Sequence, residues 1–156
     1  WNAELHALEG DVAYAHGEYQ GRPKLRAVQD IHSMMLTTPS YRTANPRREA
    51  FPAWLEGIEA DTAFDWNDWH HQLEAMLAHD VAARWGGNLD EAARRVKAKM
   101  LIVVAAQDHM VNPGPSEVFA KAATAKLVVL EGPCGHLAPG CEQSTLAQHV
   151  RALMAE

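Results

Sequence analysis

Two apolar segments, each followed by a polar residue in a turn, constrain the fold of this chain most. The run 100–105 leads to Asp108, and the run 126–130 leads to His136. Uninterrupted apolar runs rich in β-branched residues are typical of strands that are covered on both faces in a parallel sheet. Because a helical pattern separates the two runs, we expect two parallel strands joined by a right-handed crossover.

The pattern before residue 96 is helical. We expect a loop-rich entry with one short helix in residues 1–21, and Pro23 in the first turn of the helix that follows. Helices are expected at 22–36, in short pieces within 40–63, from an Asp65 cap to Trp85, from an Asn88 cap to Arg95, and at 116–124 and 143–155. The sequence therefore predicts a mostly helical region, 1–95, and a β-α-β-α region, 96–156.

Composition indicates a globular chain with a substantial core. Of the 156 residues, 47% are hydrophobic and 22% are charged, whereas disordered chains are poorer in apolar groups. The net charge of −6, with its acidic excess in residues 1–95, argues against nucleic acid and membrane surfaces as partners. Without a signal-peptide pattern or an apolar run of about 20 residues, we expect a cytoplasmic location.

The two cysteines, Cys134 and Cys141, lie close together in a segment rich in glycine and proline. A disulfide between them would close only a short loop, and nothing in the sequence indicates secretion. We therefore expect free thiols.

Asp108 and His136 are the candidate catalytic residues. In an open α/β sheet, sites form beyond the carboxyl ends of the strands, where both residues are expected. A histidine that accepts the proton of a nucleophile and an acid that orients it are two members of a catalytic triad. Taken singly, Asp108 could be a turn-forming aspartate and His136 a loop histidine without a role. Their matching positions favour the triad.

The two strand segments resemble a known superfamily. Lys99–Asp108 is similar to the acid-bearing strand, and Gly135-His136 to the histidine loop, of the α/β-hydrolases. The resemblance implies the carboxyl-terminal portion of an α/β-hydrolase fold in residues 96–156, preceded by a helical lid or cap in residues 1–95.

Three further segments, Gly17–Pro23, Phe64–Asp68 and Glu131–His136, are similar to the homoserine O-acetyltransferase family. This resemblance implies acyl transfer to a hydroxyl group through an acyl-serine, with acetyl-CoA as the acyl donor and no permanently bound cofactor. In that family an aspartate typically follows the catalytic histidine, whereas Leu137 stands here. Leucine cannot pair with the amino group of homoserine. The residue therefore favours ester hydrolysis, or transfer to another acyl acceptor, over transfer to homoserine.

A serine nucleophile is missing from the pattern. Gly-x-Ser-x-Gly does not occur, and the four serines, Ser33, Ser40, Ser116 and Ser144, are expected in a helix, in a turn or at helix caps. The chain begins at Trp1, which is typical of a processed or excerpted piece. We expect the nucleophile on an amino-terminal segment that this sequence lacks or on a second chain, and no activity from this chain alone.

Four residues are candidates for a substrate pocket beneath the predicted lid: Trp66, Trp69, Met76 and His109. Core packing is the alternative for the tryptophans, and a solvated loop position is the alternative for His109.

No metal site is expected from the sequence. Neither His70 nor His71 is followed by a histidine at i+4, so Glu74 gives only a His-x-x-x-Glu pair. Cys134, His136 and Cys141 lack a fourth ligand at a usual spacing.

The sequence thus predicts the acid and the base of a hydrolase or acyltransferase that acts on a small-molecule ester or acyl acceptor. The alternative is a non-catalytic helical interaction protein with a structural α/β tail, in which Asp108 and His136 would not face each other. A partner strand is expected at the uncovered edge 100–105. The sequence is also compatible with a homodimer.

Overall fold

The computed structural model describes residues 1–61 and 63–155, which divide into two compact units. Unit 1 contains Trp1–Met35 and Thr43–His79, and unit 2 contains Leu36–Arg42 and the chain from Asp80 onward. Residues 36–42 and 80–95 thus group with the strands. The division into a helical lid, 1–95, and a β-α-β-α region, 96–156, stays a prediction. Thr62 and Glu156, which fall within the predicted regions 1–95 and 96–156, lie outside the described residues.

The described part of the chain is mostly helical and contains two strands. In chain order the elements are α1 Asn2–Gly10, α2 Arg26–Leu36, α3 Pro39–Ala44, α4 Phe51–Glu59, α5 Trp66–Ala78, α6 Leu89–Arg94, β1 Leu101–Ala105, α7 Gly114–Ala122, β2 Lys126–Leu130, α8 Ala138–Cys141 and α9 Gln143–Met154. Short 3-10 turns lie at Ala15–Gly17, Arg48–Ala50, Ala83–Trp85 and Gly135–Leu137.

The two strands pair in parallel, as predicted. Their register runs from Leu101 opposite Lys126 to Ala105 opposite Leu130, so both strands end at the same level. Helix α7 forms the connection between them and packs on both. The parallel pairing therefore delivers the segments that follow β1 and β2 to one edge of the sheet.

The core of unit 2 lies beneath the carboxyl ends of the strands. Its buried residues are Ala105, Val128, Leu130, Cys134 and Ala138, and Tyr41, Leu101 and Val103 pack against them. Two of these residues, Cys134 and Ala138, flank His136 in the sequence. Burial of these neighbours fixes the backbone of the histidine loop, which we define as residues 131–142.

The core of unit 1 is built around Trp66 at the start of α5. The buried cluster contains Leu8, Tyr14, Leu25, Val28 and Trp66, with Ala7, Tyr19 and Trp69 packed against it. The indole N–H of Trp66 donates to the Pro23 carbonyl oxygen at 2.7 Å, so this fully buried side chain has no unsatisfied polar group. Pro23 thus lies in the loop before α2, not in its first turn as predicted.

Helix α5 begins as predicted but ends earlier. The Asp65 carboxylate accepts a hydrogen bond from the Asn67 N–H, as an N-cap residue does. The predicted end at Trp85 is wrong, because the helix stops at Ala78 and His79 is extended. Asp80 then accepts a hydrogen bond from the Ala82 N–H and starts a new turn.

A buried carboxylate links three helices of unit 1. Glu4 of α1 is 3% exposed. One of its oxygens accepts a hydrogen bond from the Trp69 indole N–H at 3.2 Å, and the other lies 3.3 Å from Nδ1 of His32. These two partners satisfy a group whose burial would otherwise be costly.

None of the helices within the described residues is both long enough and apolar enough to cross a membrane.

Replacing Tyr19 by Phe should make the stability of the chain less sensitive to acid. The Tyr19 hydroxyl donates to Asp65 at 2.6 Å, and this bond is the main cause that lowers the pKa of the Asp65 carboxyl. A carboxylate with a lowered pKa stabilises the fold above the ordinary aspartate value of about 4, and that contribution is lost as the pH falls through the lowered value.

Urea unfolding at neutral pH and at several points between about pH 2 and about pH 4 measures this loss. Tyr14→Phe is the matched control, because the Tyr14 hydroxyl donates to the Asn67 amide oxygen, not to a carboxylate. An identical dependence on acid in Tyr19→Phe and the unmodified chain would contradict the assignment.

Candidate active site

The parallel register brings Asp108 and His136 to the same edge of the sheet. Asp108 lies three residues after the end of β1 and His136 six residues after the end of β2. The Ala106 N–H donates to the Leu130 carbonyl oxygen at 2.9 Å, which extends the pairing beyond the last strand residue. The site therefore begins where the hydrogen-bonded ladder stops.

The two side chains are in direct contact. Oδ2 of Asp108 lies 2.8 Å from Nδ1 of His136. The other oxygen, Oδ1, accepts hydrogen bonds from the N–H groups of Met110 at 2.9 Å and Val111 at 2.8 Å. The Asp108 side chain is 11% exposed and that of His136 is 38% exposed. Asp108 is thus fixed on one oxygen by its own turn and presents the other to the imidazole.

This geometry selects the tautomer of His136. A carboxylate oxygen only accepts, so Nδ1 of the neutral imidazole carries the proton and donates it to Asp108. Nε2 then carries the lone pair, as required of a general base whose orientation is fixed by an acid. The structure brings the predicted pair together, and its catalytic role stays a prediction.

A disulfide encloses His136, which corrects the expectation of free thiols. Cys134 and Cys141 are bonded, with their Cα atoms 6.6 Å apart. The expectation was wrong because it rested on compartment and loop length, whereas the turn at 135–137 and the short helix α8 bring the two Cα atoms within disulfide range. The disulfide thus ties the loop together on both sides of the histidine.

A second contact closes the histidine loop at its ends. The Gly132 N–H donates to Oε1 of Glu142 at 2.9 Å. The side-chain amide of Gln107 donates to the Glu131 carbonyl oxygen at 3.2 Å, which connects the loop to the segment that carries Asp108. Acid and base are therefore held by loops that are themselves bonded to each other.

Residues 37–38, which sequence reasoning treated only as the end of a helix, support the histidine loop. The Thr38 hydroxyl donates to the Pro133 carbonyl oxygen at 2.6 Å and accepts from the Tyr41 N–H at 3.1 Å. The available signal was the Thr-Pro pair, which is typical of a helix cap followed by a first-turn proline. Thr38 caps α3 in this way, but the pair could not predict the partner in the loop.

The close approach of residues 36–38 to the histidine loop requires a glycine at position 135. Gly135 has a φ of +63°, and a Cβ atom there would lie 3.2 Å from both the Leu36 carbonyl oxygen and the Thr38 nitrogen. Only glycine adopts this conformation without a Cβ penalty and leaves room for the neighbouring backbone. The residue before His136 is therefore set by local geometry.

The four predicted pocket residues have different surroundings. His109 lies next to Asp108 in unit 2, and its Nε2 donates to the Thr37 carbonyl oxygen at 3.1 Å. Trp66 is fully buried in the core of unit 1, and the indole N–H of Trp69 is bonded to Glu4. Met76 is 39% exposed on α5. Trp66 is thus a core residue here, while the pocket role of the other three stays a prediction.

The serines occupy helical positions. Ser33 lies in α2, Ser40 in α3, Ser116 in α7 and Ser144 in α9. A nucleophile of the α/β-hydrolase type instead sits in a sharp turn between a strand and a helix. None of the four therefore has the backbone setting of such a nucleophile.

Comparisons with known proteins identify the fold. No protein-family model matches the sequence, and no curated protein is significantly similar. Solved structures do match: the acetyl esterase MekB (TM-score 0.78, 20% identity), a homoserine O-acetyltransferase from Bacillus anthracis (0.81, 19%) and an acetylester hydrolase from Corynebacterium glutamicum (0.72, 20%). These matches cover 99%, 99% and 97% of this chain but 49%, 48% and 47% of those chains.

The chain therefore has part of an α/β-hydrolase fold, as the sequence resemblance implied. It spans about half the length of the structures that it matches.

Substituting Gly135 by Ala should destabilise unit 2 by about 1–3 kcal/mol, the cost of a strained left-handed residue and a close backbone contact. Gly140→Ala is the matched control, because Gly140 lies in α8 and a Cβ atom there would have no neighbouring atom within 4 Å. Urea unfolding followed by circular dichroism measures both variants. Equal stability of the two variants would contradict the role assigned to Gly135.

Proposed function

We propose that this chain supplies the acid and the base of a Ser-His-Asp acyl-transfer enzyme. Asp108 is the acid, His136 is the base, and the serine comes from an amino-terminal segment or a second chain. The observation that carries the proposal is the 2.8 Å contact between Oδ2 of Asp108 and Nδ1 of His136. It also argues against the alternative of a purely structural tail, in which the two side chains would not face each other.

The proposed reaction uses His136 twice. The serine oxygen attacks the acyl carbonyl carbon while Nε2 of His136 takes the serine proton, and Asp108 stabilises the imidazolium that forms. When the tetrahedral intermediate collapses, the bond from the carbonyl carbon to the leaving atom breaks, and Nε2 returns the proton to that atom. The leaving atom is the oxygen of an ester or the sulfur of acetyl-CoA. Water or another hydroxyl compound then attacks the acyl-serine and gives its proton to Nε2 of His136. The bond from the carbonyl carbon to the serine oxygen breaks, and Nε2 returns the proton to the serine.

Hydrolysis of a small ester is the first candidate activity. Leu137, the residue after His136, is 42% exposed and offers no charge to an amino-group substrate. Transfer of an acetyl group from acetyl-CoA to a hydroxyl is the second candidate. Its support is the resemblance of the segment 131–136 to homoserine O-acetyltransferases, together with the structural match to one of them.

Unit 1 is proposed to contain the lid helices, and Trp69, Met76 and His109 stay candidates for the substrate pocket. The cytoplasmic location stays a prediction, and the disulfide between Cys134 and Cys141 is a feature more typical of oxidising compartments.

The proposed function predicts activity only when the serine is present. A protein extended upstream of Trp1 by its own coding sequence should hydrolyse a chromogenic acetyl ester, whereas this chain alone should not exceed the uncatalysed rate. In the extended protein, His136→Gln and Asp108→Asn should each lower kcat by about 10³–10⁴-fold. An assay of the extended protein with acetyl-CoA and homoserine, followed by product analysis, distinguishes the two activities: transfer gives O-acetylhomoserine, and hydrolysis gives acetate.

His149→Gln is the matched control, since this partly exposed histidine lies in α9 and is not among the described hydrogen-bond partners of Asp108 and His136. It should leave kcat unchanged. Full turnover in His136→Gln would refute the proposal. An upstream sequence without a serine in a strand-to-helix turn would exclude the amino-terminal segment as the source of the nucleophile.

A further inference from the structure

Helix α5 of unit 1 carries a cluster of imidazole and carboxylate groups that the proposed reaction does not use. His70, His71 and Glu74 each offer one ligand atom, and the three atoms lie within 4.8 Å of one another. Imidazole nitrogens combined with a carboxylate oxygen are ligands that Zn²⁺ and its neighbours in the first transition row accept. The cluster therefore has the composition of a metal site.

Two distances within the cluster fit tetrahedral coordination. Oε2 of Glu74 lies 3.4 Å from Nδ1 of His70 and 3.2 Å from Nδ1 of His71. Two ligands that each bind Zn²⁺ at about 2.0–2.1 Å in a tetrahedron are about 3.3–3.4 Å apart. Both imidazoles already have about this spacing from the carboxylate, and all three ligand atoms lie within 4.8 Å of one another.

The remaining nitrogen of His70 has the partner that a metal-bound histidine usually has. Nε2 of His70 lies 3.0 Å from Oε1 of Glu9 in α1. A carboxylate on the second ring nitrogen fixes the tautomer, leaves the lone pair on the metal-facing nitrogen, and increases its basicity. Glu9 thus orients His70 with Nδ1 toward Glu74.

His70 is also held in place by packing, while the other two groups face solvent. Its ring stacks on Tyr14 with centroids 6.0 Å apart and planes 15° apart, and its side chain is 18% exposed. The side chains of His71 and Glu74 are 75% and 54% exposed. One ligand is therefore preorganised, and the open side leaves room for water as a fourth ligand.

We propose that His70, His71 and Glu74 bind a divalent transition-metal ion of the Zn²⁺ class, with Glu9 positioning His70. The sequence pattern did not indicate this site, because neither His70 nor His71 is followed by a histidine at i+4. In the structure, two consecutive histidines, His70 and His71 at positions i and i+1, face the carboxylate of Glu74 at position i+4. Bound metal would join three side chains of α5 and, through Glu9, stabilise the contact of α5 with α1.

Titration of the untagged chain with Zn²⁺, by calorimetry, tests the proposal. We expect one tightly bound ion per chain, and with Co²⁺ the intense visible absorption of a tetrahedral site. His71→Ala and Glu74→Gln should each weaken Zn²⁺ binding at least 10-fold, and Glu9→Gln about 10–100-fold, the range for loss of an outer carboxylate. Zn²⁺ should also raise the Tm of the unmodified chain.

His79→Ala is the matched control, because this exposed histidine follows the end of α5 and lies outside the cluster. It should bind Zn²⁺ as the unmodified chain does. Circular dichroism checks that each variant is folded, and the two exposed ligands, His71 and Glu74, can be replaced without disturbing the core. Equal Zn²⁺ affinity in the unmodified chain and the double variant H71A/E74Q would overturn the proposal.

Discussion

The contact between Asp108 and His136 depends on the parallel pairing of two five-residue strands. Because Ala105 and Leu130 are opposite each other in the register, the turns that follow them begin at the same level. A shift of one residue would turn the side chains of one strand to the other face of the sheet and move its turn along the edge. The strand register is therefore the constraint on which the candidate site depends.

Several contacts hold the histidine loop once the strands are paired. The Cys134–Cys141 disulfide and the bond from Gly132 to Glu142 close the loop, and Thr38 binds it from a segment almost a hundred residues earlier in the chain. Rigid support of this kind is what a catalytic group requires to stay within a fraction of an ångström of its working position. Unit 2 thus combines the sheet, the short segment 36–42 and the disulfide into one scaffold for His136.

The sequence predicted what depends on local patterns and missed what depends on distant partners. The apolar runs predicted both strands, and the caps at Asp65 and Asn88 were predicted correctly from residue type. Helix α5 was predicted too long, because periodicity continued past the turn at Asp80. The disulfide, the support from Thr38 and the grouping of 36–42 with the strands could not be predicted, since each depends on approach between segments that show no mutual pattern in the sequence.

Nitrogen NMR of the histidine side chains in this chain tests the central claim most directly. The account predicts that neutral His136 carries its proton on Nδ1, and that Asp108→Asn weakens this preference because an amide can donate as well as accept. His109 is the internal control, since its Nε2 donates to the Thr37 carbonyl oxygen and should not change. A proton on Nε2 of His136, or an identical tautomer ratio in Asp108→Asn, would contradict the account.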